Sequence, residues 1–138
     1  MKTVLLLLDT LIKDYLQNFG DEITHAPNFL RLGEKTTTFE NFYACSMPCM
    51  PARREMHTGK PNFLHRSWSP LEPFDESVIR NIKKSGVYTH MVTDHFHYLE
   101  IGGYGYLNAY DSFEIIRGQQ GDLWKPFVGE LNYPENLS

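Results

Sequence analysis

The sequence predicts an α/β fold with a largely parallel sheet flanked by helices, and three observations predict it. Runs of strand length alternate with amphipathic runs of helix length. The first run, Val4–Leu8, is continuously apolar, the pattern of a strand covered on both faces. Asp9 and the Asp94–His97 cluster fall at the carboxyl ends of predicted strands, where open α/β sheets hold their ligands.

Each element has a local reason. Thr3–Asp9 is read as the first strand. Thr10–Phe19 is a loop with one short helical turn, stopped by Gly20. Ala26–Leu32 is a helix opened by Pro27 and capped by Gly33. Thr36–Tyr43, β-branched and aromatic, reads as a strand. Pro51–Thr58 is a helix with Pro51 in its first turn and Gly59 past its end. Asn62–Pro73 is a loop. Glu76–Lys84 is a helix with Val78, Ile79 and Ile82 on one face and Gly86 as its stop. Val87–Thr93 is a strand ending in Asp94–His97. Gly102–Asp111 is a Gly/Tyr loop, Ser112–Ile116 a short strand, and the tail after Gly118 irregular.

Size and composition narrow the function. A chain of 138 residues suits one domain, residues 1–138, and can bury a core. Its 41 % apolar and 22 % charged content carries no disorder signature. A net charge of −4 with no basic stripe argues against a nucleic-acid partner. The opening MKTVLLLLDTLIKD superficially resembles a signal peptide. Its apolar run is too short for one, ends at Asp9, and lacks a small-residue cleavage site. It is also too short to span a bilayer. The expectation is a cytoplasmic chain off the membrane, with Cys45 and Cys49 reduced.

Several residues carry chemistry, each beside a plainer alternative. Asp9 ends a predicted buried strand, where an unpaired carboxylate is costly. It is either a metal ligand or a loop-capping Asp. Cys49 stands just before the Pro51 helix, whose N-terminus stabilises a thiolate or an oxyanion, with Arg53 and Arg54 a turn further on. The alternatives are an inert buried thiol and a solvated basic face. His95 and His97 are two apart at a strand end, so on an extended chain they share one face. A structural pair is the alternative. His25, His57, His65 and His90 have no constellation and read as structural. Gly102–Tyr106 (GGYGY) lacks the context of a nucleotide loop.

Together these segments resemble the sulfatase family of the alkaline-phosphatase-like superfamily. LLLLDTLIKDYL is similar to the family's first strand with its metal-binding Asp. HAPNFLRLGEKTTTFENFYACSMPCMPARREMHTG resembles a family pattern centred on Cys-x-Pro-x-Arg, here Cys49–Arg53, with Thr58-Gly59 at the expected distance. SGVYTHMVTDHFHY is similar to the strand that carries the family's Lys-x-His.

The resemblance implies a sulfuric ester hydrolase that uses a formylglycine made from Cys49 by a maturation enzyme, together with a divalent cation, usually Ca²⁺. It assigns Asp9, Thr10 and Cys49 to the metal; Thr10 stands where many members have a second Asp. Arg53 takes the position that holds the aldehyde hydrate. His97 takes the position against the formylglycine hydroxyl, and His95 takes the place of the sulfate-binding Lys. The implied substrate is a small-molecule or glycan sulfate ester. A phosphonate or phosphate ester hydrolase of the same superfamily is the alternative within the enzyme class. The family's catalytic domain is several times longer, and its second pair of metal ligands has no counterpart in Gly118–Ser138. The chain is therefore expected to be the N-terminal portion of such a domain, with an incomplete sheet, incomplete chemistry as a fragment, and a tendency to self-associate.

Overall fold

The structure, a computed structural model, describes residues 1–63, 65–119, 121–123 and 128–130. The chain divides into two compact units, Met1–Ala44 and Cys45–Ser138. Most of the tail after Gly118 lies outside the described residues. No helix among the described residues is long and apolar enough to cross a membrane.

In the first unit, Lys13–Tyr15 and Gln17–Phe19 form 3₁₀ turns, and Pro27–Gly33 forms helix α1. Pro27 suits the first turn because its missing N–H would find no helical acceptor there. Gly33 is the last helical residue rather than the cap. A Cβ at Gly33 would run into the Asn18 side chain, whose amide donates to the Phe29 carbonyl at 3.1 Å.

Two predicted strands do not form. Thr3–Asp9 and Thr36–Tyr43 join no ladder, and Leu5 and Phe42 are 74 % and 85 % exposed. Strand-forming composition describes side chains that suit a pleated surface, but a strand also needs a neighbour to take up its backbone groups. Among the described residues neither segment has one. The largely parallel sheet is thus observed as a single parallel pair.

The second unit contains that pair. Strand β1 (His90–Thr93) lies parallel to β2 (Ser112–Ile115), with His90 opposite Ser112 and Thr93 opposite Ile115. Helix α2 spans Cys49–Thr58 and helix α3 spans Val78–Lys84. Gly59 closes α2 in the left-handed region, φ 68°, which a residue with a Cβ adopts only with strain. Asp111, just before β2, accepts from the Thr89 N–H and hydroxyl and pairs with Lys83 of α3. The core is small: Met50, Leu71, Tyr98, Tyr106, Leu107 and Ala109, with Cys49, Trp68, Ile79 and Tyr110 packed against it. Ile79 thus joins the core, while Val78 and Ile82 of the same predicted face stay largely exposed.

Candidate active site

Helix α2 begins two residues before Pro51, at Cys49 itself. Pro48 occupies the cap position, with no side-chain capping bond. The Cys49 and Met50 N–H groups therefore lie outside the helical ladder, and the first bond of the helix runs from the Ala52 N–H to the Pro48 carbonyl at 3.1 Å. Pro51, third in the helix, has no N–H to satisfy.

Buried contacts fix this helix. Arg54 donates from Nε to Asp75 at 2.9 Å and from Nη2 at 2.6 Å, a two-pronged fork, and from Nη1 to Asn62 at 2.8 Å. Burial pushes the Asp75 carboxyl up, but its bonds to Arg54 outweigh burial and hold it below the usual range. The Tyr106 hydroxyl donates to the carbonyl of Ser69 at 3.1 Å and lies 3.4 Å from that of Met50. Glu55 accepts from the Cys45 N–H at 3.1 Å, and bonds from Ser46 keep its carboxyl below the usual range. Ser46 in turn accepts from the Asn62 N–H at 2.7 Å. The loop before Cys49 is tied at Cys45 and Ser46.

On this scaffold Cys49 is half-buried and, like the exposed Cys45, free of any disulfide. Its Sγ and a ring nitrogen of the buried His95 lie within 4.8 Å of one another. Arg53 follows Cys49 by four residues, which places both on one face of the helix. Its positive charge lies near Tyr98, whose hydroxyl burial nonetheless pushes up to about 12. The buried Arg53 Nε has no hydrogen-bond partner among the described residues. An inward-facing donor of this kind suits an anionic oxygen.

The two histidines do meet, though not along an extended strand. Strand β1 ends at Thr93, and the chain turns into a 3₁₀ helix over Phe96–Leu99. His95 is buried against Tyr98, ring centroids 5.2 Å apart. His97 is half-buried, with Nδ1 2.6 Å from Glu100 and its ring edge-on to Trp68 at 4.9 Å. The rings of His95 and His97 are 5.1 Å apart. His95 is thus the imidazole beside Cys49, a position the family resemblance gives to His97. Asp94 is exposed. Tyr98, Trp68 and the Arg54–Asp75 fork had no signal in the sequence, because each depends on contacts across loops.

Asp9 and Thr10 sit in the first unit, in an exposed turn. Thr10 has φ 60°, an outlier for a β-branched residue. These two offer one carboxylate and one hydroxyl. Cys49 and His95, in the second unit, offer a thiol and an imidazole. Ca²⁺ takes about six to eight oxygen ligands, so neither donor set fits it. A thiol and an imidazole are borderline-to-soft donors.

The sulfatase family model matches residues 2–118. The chain belongs to the sulfatase family. The match includes Asp9, Cys49, Arg53, His95 and His97 and covers both units as far as β2. Membership supports sulfatase-type hydrolase chemistry broadly and an alkaline-phosphatase-like α/β fold, to which the parallel pair conforms. No curated protein and no solved structure matches the chain.

Proposed function

We propose that the chain carries the nucleophile segment of a formylglycine-dependent sulfuric ester hydrolase. One observation supports this above the rest. Cys49 opens a firmly held helix with His95 beside its sulfur and Arg53 one turn above it. An inert core cysteine would need neither neighbour.

In this reading a maturation enzyme oxidises the Cys49 side chain to an aldehyde, whose hydrate supplies an oxygen nucleophile toward sulfur and a second hydroxyl for releasing sulfate. The chain's own groups act around that position. The Cys49 and Met50 N–H groups and the helix dipole favour negative charge there. Arg53 holds anionic oxygens through its guanidinium. His95, within 4.8 Å of the Cys49 sulfur, is placed to take or return a proton. His97, held by Glu100, packs its ring 5.1 Å from that of His95. Asp9 and Thr10 are proposed as metal-side residues. The donors present do not by themselves make a Ca²⁺ shell.

Co-expression with a formylglycine-generating enzyme, then mass spectrometry of the Cys49 peptide and hydrazide labelling, tests the reading. The expected product is the aldehyde in place of the thiol, and its loss in Cys49→Ala. An intact thiol under those conditions would sink the proposal. Parallel assays on aryl sulfate and aryl phosphonate monoesters then separate sulfate-ester from phosphonate-ester hydrolysis.

A further inference from the structure

His90 has no constellation along the sequence, and the parallel pair supplies one. It stands directly opposite Ser112 across β1 and β2, and its Nδ1 lies 2.6 Å from the Ser112 hydroxyl oxygen. The Tyr88 hydroxyl meets the same oxygen, also at 2.6 Å. Tyr88 is 72 % exposed and His90 is exposed, so water could satisfy both. They converge instead on Ser112, which is half-buried. The neighbouring backbone is tied. The Asp111 and Ser112 N–H groups donate to the Thr89 carbonyl at 3.0 and 3.3 Å, and the Asp111 carboxylate accepts from the Thr89 N–H at 2.8 Å. This cluster sits where both strands begin, whereas His95 follows the end of β1.

We infer that Ser112 is a nucleophilic serine that accepts acyl groups from small, activated, uncharged esters, with His90 as its base and Tyr88 as the oxyanion donor. The inference goes beyond the sulfatase reading and takes nothing from Cys49. A serine hydroxyl is a weak nucleophile until a base within hydrogen-bond reach takes its proton. Neutral His90, with its own proton on Nε2, presents the Nδ1 lone pair to that hydroxyl. The Ser112 oxygen bonds to the carbonyl carbon of the ester as its proton passes to Nδ1, and negative charge builds on the carbonyl oxygen. That oxygen is then bonded to the same carbon as the Ser112 oxygen, which brings it within reach of the Tyr88 O–H. Collapse breaks the bond to the leaving oxygen, and the leaving group or water takes the proton from Nδ1. The acyl group stays on Ser112 as an ester, and His90 is neutral again. Charge selects the acyl donor. Asp111 precedes Ser112, and Glu114, two residues along β2, lies on the same face, so both disfavour an anionic ester.

The test is p-nitrophenyl acetate on the full chain, read by release of p-nitrophenolate and by peptide mass spectrometry. The expected result is an acetyl group on Ser112, formed in a burst of about one p-nitrophenolate per chain and absent in Ser112→Ala. His90→Gln should slow Ser112 acetylation at least about tenfold, less than the roughly 10²–10⁴-fold of an enclosed base because water reaches this one. Tyr88→Phe should slow it about threefold or more. Tyr88→Phe alters an exposed side chain and keeps the test open if His90→Gln fails to fold. Acetyl groups on lysines or the amino terminus but not on Ser112 would overturn the inference. So would Ser112 acetylation at an unchanged rate in either folded variant.

Discussion

Acid should unlock helix α2 through His57. This residue lies in the helix that presents Cys49 and Arg53 and is only 5 % exposed. Its Nδ1 is 3.0 Å from the Ser77 hydroxyl, and its ring meets Tyr106 and Tyr110 edge-on at 5.3 and 5.9 Å. Burial first, then the positive charges of Arg80 on α3 and Arg53 on α2, lower its pKa from 6.5 to about 4. The folded chain therefore keeps a neutral imidazole where the unfolded chain takes up a proton. Stability from this group is complete above pH 6.5 and falls away as the pH drops toward 4. The gap is worth about 3 kcal/mol, a large part of a small domain's roughly 5–15 kcal/mol. Asp75, whose pKa is lowered, loses its contribution only as the pH falls below the ordinary carboxylate value of 3.8, outside this window. Urea denaturation between pH 7.5 and 4.5, beside NMR titration of the His57 ring, measures the effect. His57→Gln keeps a hydrogen-bonding group toward Ser77 and cannot titrate, so its stability should depend less steeply on pH by about that amount. A His57 ring titrating near its ordinary value, or an unchanged slope in His57→Gln, would refute the reasoning.

Two further predictions follow from packing. Asp75→Asn leaves Arg54 buried beside a neutral partner and should cost about 3–5 kcal/mol in chemical denaturation, with Arg54→Met added to it restoring part of the loss; a change below about 1 kcal/mol would mean the fork does not hold α2. The exposed side chains of Leu5, Phe39, Phe42 and Tyr43 should drive self-association visible in sedimentation velocity, reduced by Phe42→Ser; a monomer at tens of micromolar would contradict this.

What was legible in the sequence was what local chemistry decides. Pro51 and Gly59 bracket α2, and only its first turn was missed, because Pro48 caps it through the backbone alone. Pro27 marks α1 for the same reason. Strand composition succeeded at His90–Thr93 and Ser112–Ile115, where each segment has the other as neighbour. It failed at Thr3–Asp9 and Thr36–Tyr43, where composition asked for a strand and no neighbour answered among the described residues. In the site, Cys49 and Arg53 were legible because a helix fixes their spacing. The histidines were legible as a pair, since their rings meet at 5.1 Å, but not in the conformation that brings them together. Period-two reasoning holds only while the chain stays extended, and it turns at His95. Glu100 and Trp68 were invisible because they meet His97 only after that turn.

The adjacent arginines show how the motif divides its work. Consecutive helical residues point about 100° apart, so Arg53 and Arg54 cannot serve one partner. Arg54 turns inward to Asp75 and Asn62. Arg53 turns to Tyr98, on the side of Cys49. A planar fork resists rotation of the helix about its axis in a way a lysine's single charge would not. That rotation sets where the Cys49 side chain points, and the Tyr106 hydroxyl near the Met50 carbonyl resists the remaining slide. In the proposed reading Arg54 is the positioning residue and Arg53 is left to face an anion, so Arg54→Lys should disturb the site more than its retained charge suggests.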